Sequence, residues 1–278
     1  MSDGTRTDIP GHSLIVRARK LSHQARKRFG QHFLTSSDAI EQIVSAVAPQ
    51  EGETIVEIGP GQGAITAPLA DSSTTLHAIE FDRDLIAKLR RQFQDRANVI
   101  IHEADALQFD FSTLGDELRI VGNLPYNIST PLLFHLLTFR NIVTDMHFML
   151  QKEVVDRMAA TPGVKDYGRL TIMLGCQLEV VPLFDVPPEA FSPPPKVTSS
   201  VVRMRPLPHD HFDIQDTHKL EQIVRQAFSR RRKTLRNALQ GLASEADIEA
   251  AGLEPGKRPE QIPIDGWIRL ANLLASGK

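Results

Sequence analysis

Four consecutive residues, Asn123, Leu124, Pro125 and Tyr126, combine the groups needed to hold an aromatic amine. Such an amine is a weak nucleophile, because its lone pair is delocalised into the ring. The Asn123 side-chain oxygen and the Leu124 backbone carbonyl could each accept one of its two hydrogens, leaving a pyramidal nitrogen whose lone pair faces an incoming methyl group. Pro125 stiffens the loop, and Tyr126 offers a ring on which a base can stack. The pattern predicts an amine-binding loop, with an ordinary Asn-Pro turn as the alternative.

A second aromatic residue, Phe191, opens the proline-rich segment Phe191-Ser192-Pro193-Pro194-Pro195-Lys196-Val197. A rigid loop is a suitable mount for a stacking wall, so we expect Phe191 to sandwich an extruded base against Tyr126. The alternative is a loop hydrophobe tucked into the core. Asn123 is neutral and is not assigned as a general base, since the nitrogen becomes acidic after alkylation and can then release its proton to water.

The first strand predicted below runs directly into a glycine-rich turn, Glu57-Ile58-Gly59-Pro60-Gly61-Gln62-Gly63. Glycines at alternating positions permit a tight turn and a close approach of the backbone to a ligand at the start of the next helix. The spacing differs from the G-x-G-x-x-G of nicotinamide and flavin binders. Glu80 ends the second strand, where a carboxylate can accept from both ribose hydroxyls, and Asp105 follows the third, where it could accept from an adenine amino group. Three successive strand ends therefore predict an adenosyl-ligand site, with exposed loop acids as the alternative.

Short apolar runs alternate with helical stretches and predict the elements that position these residues. The candidate strands are Thr54–Ile58, Thr75–Ile79, Asn98–His102, Arg119–Val121, Asp145–Leu150, Val180–Val186 and Ser200–Met204. Strands separated by helical segments indicate an α/β fold with a mostly parallel sheet and helices on both faces. The last two strands have no obvious intervening helix, so we expect an antiparallel sheet edge. Apolar spacing also predicts a helix from Ser36 to Ala48.

Composition divides the chain into three parts. Residues 1–25 are polar and basic and predict an N-terminal arm. Residues 26–206 hold the motifs above and are interpreted as the catalytic domain. A proline- and histidine-bearing linker follows from Pro206 to Gln215, and residues 207–278 are interpreted as a small all-helical domain, because apolar residues recur at helical spacing from Leu220 onward.

Charge is unevenly distributed along the chain. The formal net charge is −2. Residues 1–30 are strongly basic, and residues 225–236 hold six basic side chains and no acid. Two basic zones on an otherwise acidic chain indicate local contact with nucleic-acid phosphates, with solvated helix faces as the alternative.

The single cysteine, Cys176, cannot form an internal disulfide, which suits a reducing cytoplasm, and its apolar neighbours predict a place in the core. No apolar stretch approaches the roughly 20 residues of a membrane span, and residues 1–30 contain no apolar core of signal-peptide type. We therefore expect a cytoplasmic protein without a membrane association.

Together, these motifs resemble those of one family, the ribosomal RNA adenine dimethyltransferases, and most strongly those of its bacterial members that act on 16S rRNA. The resemblance covers nearly the whole chain except the first twenty or so residues and the linker. The matching segments are Arg26–Leu34, the glycine turn, Asn123–Ser129, Met149–Val154, Tyr167–Leu170, the Phe-Ser-Pro-Pro-Pro-Lys loop and Arg231–Asn237.

The resemblance implies a Rossmann-like S-adenosylmethionine-dependent methyltransferase sheet with S-adenosyl-L-methionine as the methyl donor and no metal. The positions that match the family's donor contacts are His32, Leu34, Gly59, Glu80, Asp105 and Asn123. Position 32 is often asparagine in relatives, so a backbone contact would survive the change to His32, whereas a side-chain contact is open.

The resemblance also implies the substrate: two adjacent adenines in the 3′-terminal hairpin of 16S rRNA, within the small ribosomal subunit or its precursor, each dimethylated on its exocyclic amine. A half-methylated amine keeps one hydrogen, so only one of the bonds to Asn123 and Leu124 could form in the second transfer. The basic zones would clamp phosphates, and we expect a monomer.

Two alternatives remain open. The first is a macrolide-resistance type of methyltransferase, which modifies large-subunit RNA with the same donor; the Gln-Lys-Glu-Val block, the triple proline and the Arg-Arg-Lys-Thr-Leu-Arg-Asn segment favour the small-subunit type. The second is a ribosome-assembly factor in which RNA binding rather than methylation is the main role. The intact donor and amine motifs argue against a purely structural role.

Overall fold

The computed structural model describes residues 32–72, 74–125 and 128–276. These residues form two compact units. The first contains the described residues up to Lys152 together with Val181–Pro206, and the second contains Glu153–Val180 and the residues from Leu207 onward.

The described strands are β1 (Phe33–Leu34), β2 (Thr54–Ile58), β3 (Thr75–Glu80), β4 (Val99–Glu103), β5 (Leu118–Asn123), β6 (Val143–Gln151), β7 (Leu178–Val186), β8 (Phe191–Ser192) and β9 (Ser199–Pro206). Most of them lie in one large sheet of the order β4-β3-β2-β5-β6-β9-β7. The strands from β4 to β6 are parallel, and β9 runs antiparallel to β6. The predicted parallel sheet with an antiparallel edge is therefore confirmed.

The helices of the first unit are α1 (Ser37–Val47), α2 (Thr66–Ala70), α3 (Arg83–Gln92) and α4 (Ser129–Leu137). Helix α1 begins where the Ser36 hydroxyl accepts from the Ala39 N–H, and it buries Ile43 and Val47 one turn apart. Ile55, Val56 and Ile58 of β2 are all buried, as expected for a strand in the middle of a sheet that helices cover.

Strands β1 and β8 form a separate two-stranded antiparallel sheet in which Leu34 lies opposite Phe191 and Phe33 opposite Ser192. The backbone N–H groups of Thr35 and Ser36 continue this contact by donating to the Ala190 carbonyl at 2.8 and 3.2 Å. This small sheet holds the segment that begins at His32 against the triple-proline loop.

The second unit is built from helices. They are α5 (Lys152–Met158), which begins at the boundary, α6 (Arg169–Gly175), α7 (Thr217–Ser229), α8 (Leu235–Ala238), α9 (Glu245–Ala250) and α10 (Ile264–Ser276). Trp267 of α10 and Leu220, Ile223 and Val224 of α7 are fully buried in its core. The expected helical fold after residue 206 is confirmed, and Cys176 is buried as expected.

The division between the units differs from the predicted one at Glu153–Val180, which the sequence reading assigned to the catalytic domain. This segment packs with the C-terminal helices. The Tyr167 hydroxyl donates to the Ile262 carbonyl at 2.7 Å, and Arg169 pairs with Glu221 at the same distance. These contacts join residues far apart in the chain, which composition and local periodicity do not reveal.

Candidate active site

The glycine turn joins β2 to α2 in a conformation that favours glycine. Gly59, Gly61 and Gly63 have φ angles of 69°, 59° and 82°, which side chains disfavour. A Cβ added to Gly61 would lie 3.2 Å from the Phe33 ring, and one added to Gly59 would lie 3.8 Å from the Asn123 carbonyl oxygen. The turn is therefore a narrow backbone cradle between β1 and the end of β5.

Glu80 is the last residue of β3, as predicted, and it ties that strand end to the glycine turn. Its Oε2 accepts from the Gly61 N–H at 3.3 Å, and its Oε1 accepts from the N–H groups of Phe81 and Asp82 at 2.8 and 2.9 Å. Burial raises the pKa of the Glu80 carboxyl, while these three backbone donors lower it. The net direction is upward.

Phe81, which follows Glu80, is a candidate site residue that the sequence reasoning missed. The residue is 73 % exposed, the most among the exposed large hydrophobic residues in the described part of the chain. The available signal was an aromatic residue immediately after the acid at a predicted strand end. It offers an apolar surface beside the Glu80 carboxylate.

Glu57 braces the same turn from inside the core. It is 2 % exposed, and the Thr66 hydroxyl at the start of α2 donates to its Oε2 at 2.5 Å. Burial raises the pKa of Glu57 to about 7, with the nearby Glu80 acting in the same direction. Sequence reasoning treated Glu57 only as part of the turn, because its burial depends on the finished sheet.

Asp105 lies two residues beyond β4 and is half-buried. Its Oδ1 accepts from the Leu107 N–H at 3.0 Å and its Oδ2 from the Gln108 side chain at 2.9 Å. The Ala104 N–H donates to the Glu80 carbonyl at 3.0 Å. The backbone thus brings the Asp105 loop to the strand end that carries Glu80.

Asn123 ends β5, and its side-chain orientation follows from its neighbour. Nδ2 donates to the His32 backbone carbonyl at 3.2 Å. Because a carbonyl can only accept, the amide nitrogen must face His32, and Oδ1 faces the other way as an acceptor. This is the atom that the sequence analysis assigned to the amine.

The residues on either side fix the position of Asn123. A Cβ on Gly122 would lie 2.5 Å from the Ile58 carbonyl oxygen, so only glycine permits β5 to approach the end of β2 this closely. Leu124 is 1 % exposed, and its N–H donates to the Met149 carbonyl at 3.2 Å. Tyr126, the expected stacking partner, lies outside the described residues, so its role stays a prediction.

Phe191 is buried rather than presented as an open wall. It is 4 % exposed and belongs to the same core cluster as Leu34, its partner across the two-stranded sheet. The Phe191 ring is therefore packed in the core, which is the alternative to a stacking wall given in the sequence analysis. A stacking role would require the ring to become exposed. The pairing that buries it joins residues far apart in the chain, which the local pattern could not reveal.

His32 and Leu34 lie beside this arrangement. His32 Nδ1 is 2.6 Å from the Pro193 carbonyl oxygen, and the His32 carbonyl accepts from Asn123. The structure thus brings together the donor-segment residues, the glycine turn, Glu80 and Asn123 at the carboxyl ends of the parallel strands, where α/β sheets bind ligands. The acceptors are fixed in place, so this arrangement is suited to orienting a reacting amine.

The basic segment of the second unit is exposed in part. Arg230, Arg232, Lys233 and Arg236 are exposed, although Arg236 lies 3.4 Å from Glu245, whereas Arg231 is half-buried and lies 3.6 Å from Glu260. The N-terminal basic zone, residues 1–30, lies outside the described residues.

Two classes of site find no support in the described ranges. Within residues 32–72, 74–125 and 128–276, no cluster of three or more histidine, cysteine or acidic side chains could hold a metal ion. In the same part of the chain, no helix is both long and apolar enough to cross a membrane.

Solved structures share this fold. A dimethyladenosine transferase from Plasmodium falciparum superimposes with a TM-score of 0.74 at 24 % identity, over 86 % of this chain and 96 % of that one. The 23S rRNA methyltransferase ErmE superimposes with a TM-score of 0.68 at 24 % identity, over 88 % of this chain and 100 % of that one. At this identity the likeness shows the fold alone, an α/β sheet with flanking helices.

Closer relatives extend over most of the chain. The Ribosomal RNA small subunit methyltransferase A of Aromatoleum aromaticum is 54 % identical over 254 residues, which are 91 % of this chain and 96 % of the relative. The protein of the same name from Pseudomonas aeruginosa is 52 % identical over 256 residues, with the same coverage. Residues 22–276 match the family described as Ribosomal RNA adenine dimethylase. The chain belongs to the ribosomal RNA adenine dimethylase family.

Proposed function

We propose that this chain transfers methyl groups from S-adenosyl-L-methionine to the exocyclic amines of two adjacent adenines in the 3′-terminal hairpin of 16S rRNA. Each amine is methylated twice, during biogenesis of the small ribosomal subunit. The observation that carries the proposal is the Asn123 amide, whose nitrogen is held by the His32 carbonyl at 3.2 Å so that its oxygen faces away as an acceptor. Family membership and the names of relatives at 52 to 54 % identity support the substrate.

The strand ends fit the proposed donor. The glycine turn lets the backbone at Gly61 lie against the Phe33 ring, where a Cβ would be 3.2 Å away, and the buried Glu80 carboxylate beside it can accept from ribose hydroxyls. Phe81 offers an apolar face for the adenine ring, and Asp105 an acceptor for its amino group. Leu34 and the His32 backbone line the side nearest Asn123. When bound, S-adenosylmethionine supplies a methyl group on a sulfonium sulfur, which leaves with the bonding electron pair as a thioether.

The chain's own residues orient the amine. Asn123 Oδ1 and the Leu124 carbonyl accept its two hydrogens, so that the nitrogen lone pair points toward the methyl carbon. Asn123 cannot take up the proton that is lost after the new N–C bond forms, and this proton leaves to water. This loop therefore contributes to catalysis by orienting the amine and by excluding orientations in which its lone pair does not face the methyl carbon.

The second transfer places a different demand on the site. A monomethylated amine has one hydrogen, so either Asn123 or Leu124 accepts it but not both. Stacking must then hold the base, and it is supplied by Tyr126 and by Phe191 once its ring is uncovered. Each stacked base contributes roughly 1–3 kcal/mol in single-strand recognition.

The basic segments contact RNA phosphates. Arg230, Arg232 and Lys233 present exposed cations on the second unit, and the N-terminal segment adds further positive charge. Contacts of this kind fix the register of an RNA without reading its bases. The names of the relatives support the small subunit or its precursor as the substrate.

A comparison of three substrates tests the proposal. The full chain is incubated with labelled donor and with unmethylated small subunits, naked 16S rRNA or large subunits, and the RNA is digested to nucleosides. We expect dimethyladenosine from small subunits. Label confined to large-subunit RNA would support the macrolide-resistance alternative, and binding of small subunits without any label would support the assembly-factor alternative.

A further inference from the structure

His32 lies between two loops that the proposed reaction must keep in register. On one side its Nδ1 is 2.6 Å from the carbonyl oxygen of Pro193 in the triple-proline loop. On the other side its backbone carbonyl is 3.2 Å from Nδ2 of Asn123. A single residue therefore makes hydrogen bonds to the loop that follows Phe191 and to the amide that faces the amine.

The direction of each hydrogen bond is fixed by its partners. The Pro193 carbonyl can only accept, so Nδ1 of His32 must carry the hydrogen that it donates. The His32 carbonyl can likewise only accept, so Asn123 must donate with Nδ2. The two hydrogen bonds therefore connect the Pro193 carbonyl, through one residue, to the backbone carbonyl that fixes the orientation of the Asn123 amide.

The rest of the site gives this contact a rigid frame. Strand β1 begins at Phe33, immediately after His32, and its pairing with β8 places Phe33 opposite Ser192. Phe33 also lies against the glycine turn, because a Cβ on Gly61 would be 3.2 Å from its ring. A displacement of His32 would thus alter the Asn123 contact before it disturbed the sheet.

Resting on the proposed function, we propose that His32 is a positioning residue that couples the triple-proline loop to the amine-binding amide of Asn123. Its imidazole donates a hydrogen bond to the Pro193 carbonyl, and its backbone carbonyl accepts one from Asn123. It acts through Asn123 and does not contact the donor with its side chain. The coupling keeps Asn123 Oδ1 directed at the amine as long as the triple-proline loop holds the His32 imidazole.

Side-chain chemistry identifies the substitutions that separate this role from others. An asparagine carries Nδ2 on Cγ, at the same distance from the backbone as Nδ1 of histidine, so His32→Asn can donate to Pro193. His32→Leu has similar reach and no donor. His32→Asp presents only acceptors and would repel the Pro193 carbonyl.

The test compares these three variants with the wild-type chain and with His211→Leu, a matched histidine exposed in the second unit. Donor affinity is measured by calorimetry on the full chain with S-adenosylmethionine alone, and kcat and KM are measured on unmethylated small subunits. We expect kcat to fall about 10- to 100-fold in His32→Leu and His32→Asp, because misplacing a positioning group by about 1 Å can cost about that much. His32→Asn should restore kcat to within about threefold of wild type, and in His32→Leu and His32→Asp donor affinity should fall by a smaller factor than kcat.

A double variant keeps the test decisive even where a single variant is unstable. If His32 acts through Asn123, adding His32→Leu to Asn123→Ala should lower kcat no further. The inference is overturned if His32→Leu retains wild-type kcat, if His32→Asn is as impaired as His32→Leu, or if donor affinity falls in proportion to kcat. A wild-type chain that leaves small-subunit adenines unmodified would overturn the proposed function and this inference with it, whereas an active wild type with an unaffected His32→Leu overturns the inference alone.

Discussion

The amide of Asn123 shows how much of the site depends on the orientation of one side chain. Its nitrogen is held at 3.2 Å by the His32 carbonyl, and its backbone position is set by Gly122, where a Cβ would lie 2.5 Å from the Ile58 carbonyl oxygen. Sequence reasoning could predict that Glu80, Asn123 and the glycine turn lie at strand ends, because short apolar runs mark the strands that precede them. It could not predict how His32 contacts Asn123 and Pro193, since those contacts join distant parts of the chain.

Replacing Asn123 tests the amine-binding role. We expect Asn123→Ala to lower kcat about 100-fold, equivalent to about 3 kcal/mol of transition-state stabilisation, because the amine loses one of its two acceptors. Asn123→Asp should be similarly impaired, since a carboxylate cannot donate to the His32 carbonyl and would turn away from it. The measurement is methyl transfer to small subunits under saturating substrate. Exposed Asn141→Ala is the control, and full activity of Asn123→Ala would disprove the assignment.

Gly122→Ala tests the close approach of β5 to β2. The added methyl meets a backbone carbonyl rather than a flexible side chain, so relief requires the strands to separate. Overpacking of this kind costs about 1–3 kcal/mol of unfolding free energy. Chemical denaturation measures it, and Gly256→Ala, whose Cβ would have no atom within 4 Å, serves as the control. Equal stabilities of the two variants would contradict the proposed constraint.

At the scale of elements, strand ends and helix ends are joined by a few buried polar groups. Arg119 of β5 donates to the Val47 carbonyl at the end of α1 at 2.6 Å and pairs with Asp145 of β6 at 2.9 Å. Burial acts to raise the pKa of Asp145, but the neighbouring His147 and Arg119 outweigh it and lower that pKa to about 2. Short apolar runs predicted these strands, because they are buried on both faces, and helical spacing of apolar residues predicted α1, because it buries one face. The same periodicity did not reveal the burial of Phe191 or the packing of Glu153–Val180 with the second unit, which depend on tertiary contacts.

Breaking the Arg119 contact should destabilise the first unit. The Arg119 and Asp145 side chains are only 11 % and 5 % exposed, so Arg119→Leu removes the guanidinium partner of a buried carboxylate and leaves it only His147, at 3.5 Å. The expected loss of unfolding free energy is about 3–5 kcal/mol. Arg83→Leu is the matched control, because Arg83 and Glu103 are 88 % and 40 % exposed, and such surface pairs contribute about 0–1 kcal/mol. A loss below about 1 kcal/mol in Arg119→Leu would contradict the prediction.

At the scale of the whole molecule, the same carboxyls that shape the glycine turn make stability depend on pH. Burial raises the pKa of Glu57 to about 7 from a value of 4.5. The folded state therefore holds its proton more tightly than the unfolded state does. The stability that this group contributes is present in full below about pH 4.5 and is lost as the pH rises through about 7.

Glu57→Gln should remove this dependence. The amide stays neutral and can still accept from Thr66. The unfolding free energy of the variant minus that of wild type should therefore rise by about 3 kcal/mol as the pH is raised from about 4.5 to 7.5. Urea unfolding at a series of pH values measures the difference, with exposed Glu51→Gln as the control. Parallel pH profiles for wild type and Glu57→Gln would show that Glu57 is not a buried, raised-pKa carboxyl in the folded chain.

The central claim is that one strand-end site dimethylates adenines of small-subunit RNA. The most direct measurement maps the modified nucleosides on 16S rRNA after unmethylated small subunits have been incubated with the full chain and S-adenosylmethionine. We predict dimethyladenosine at two adjacent positions in the 3′-terminal hairpin, formed by the wild-type chain and not by Asn123→Ala. Unmodified adenines in that hairpin, or equal modification by Asn123→Ala, would contradict it.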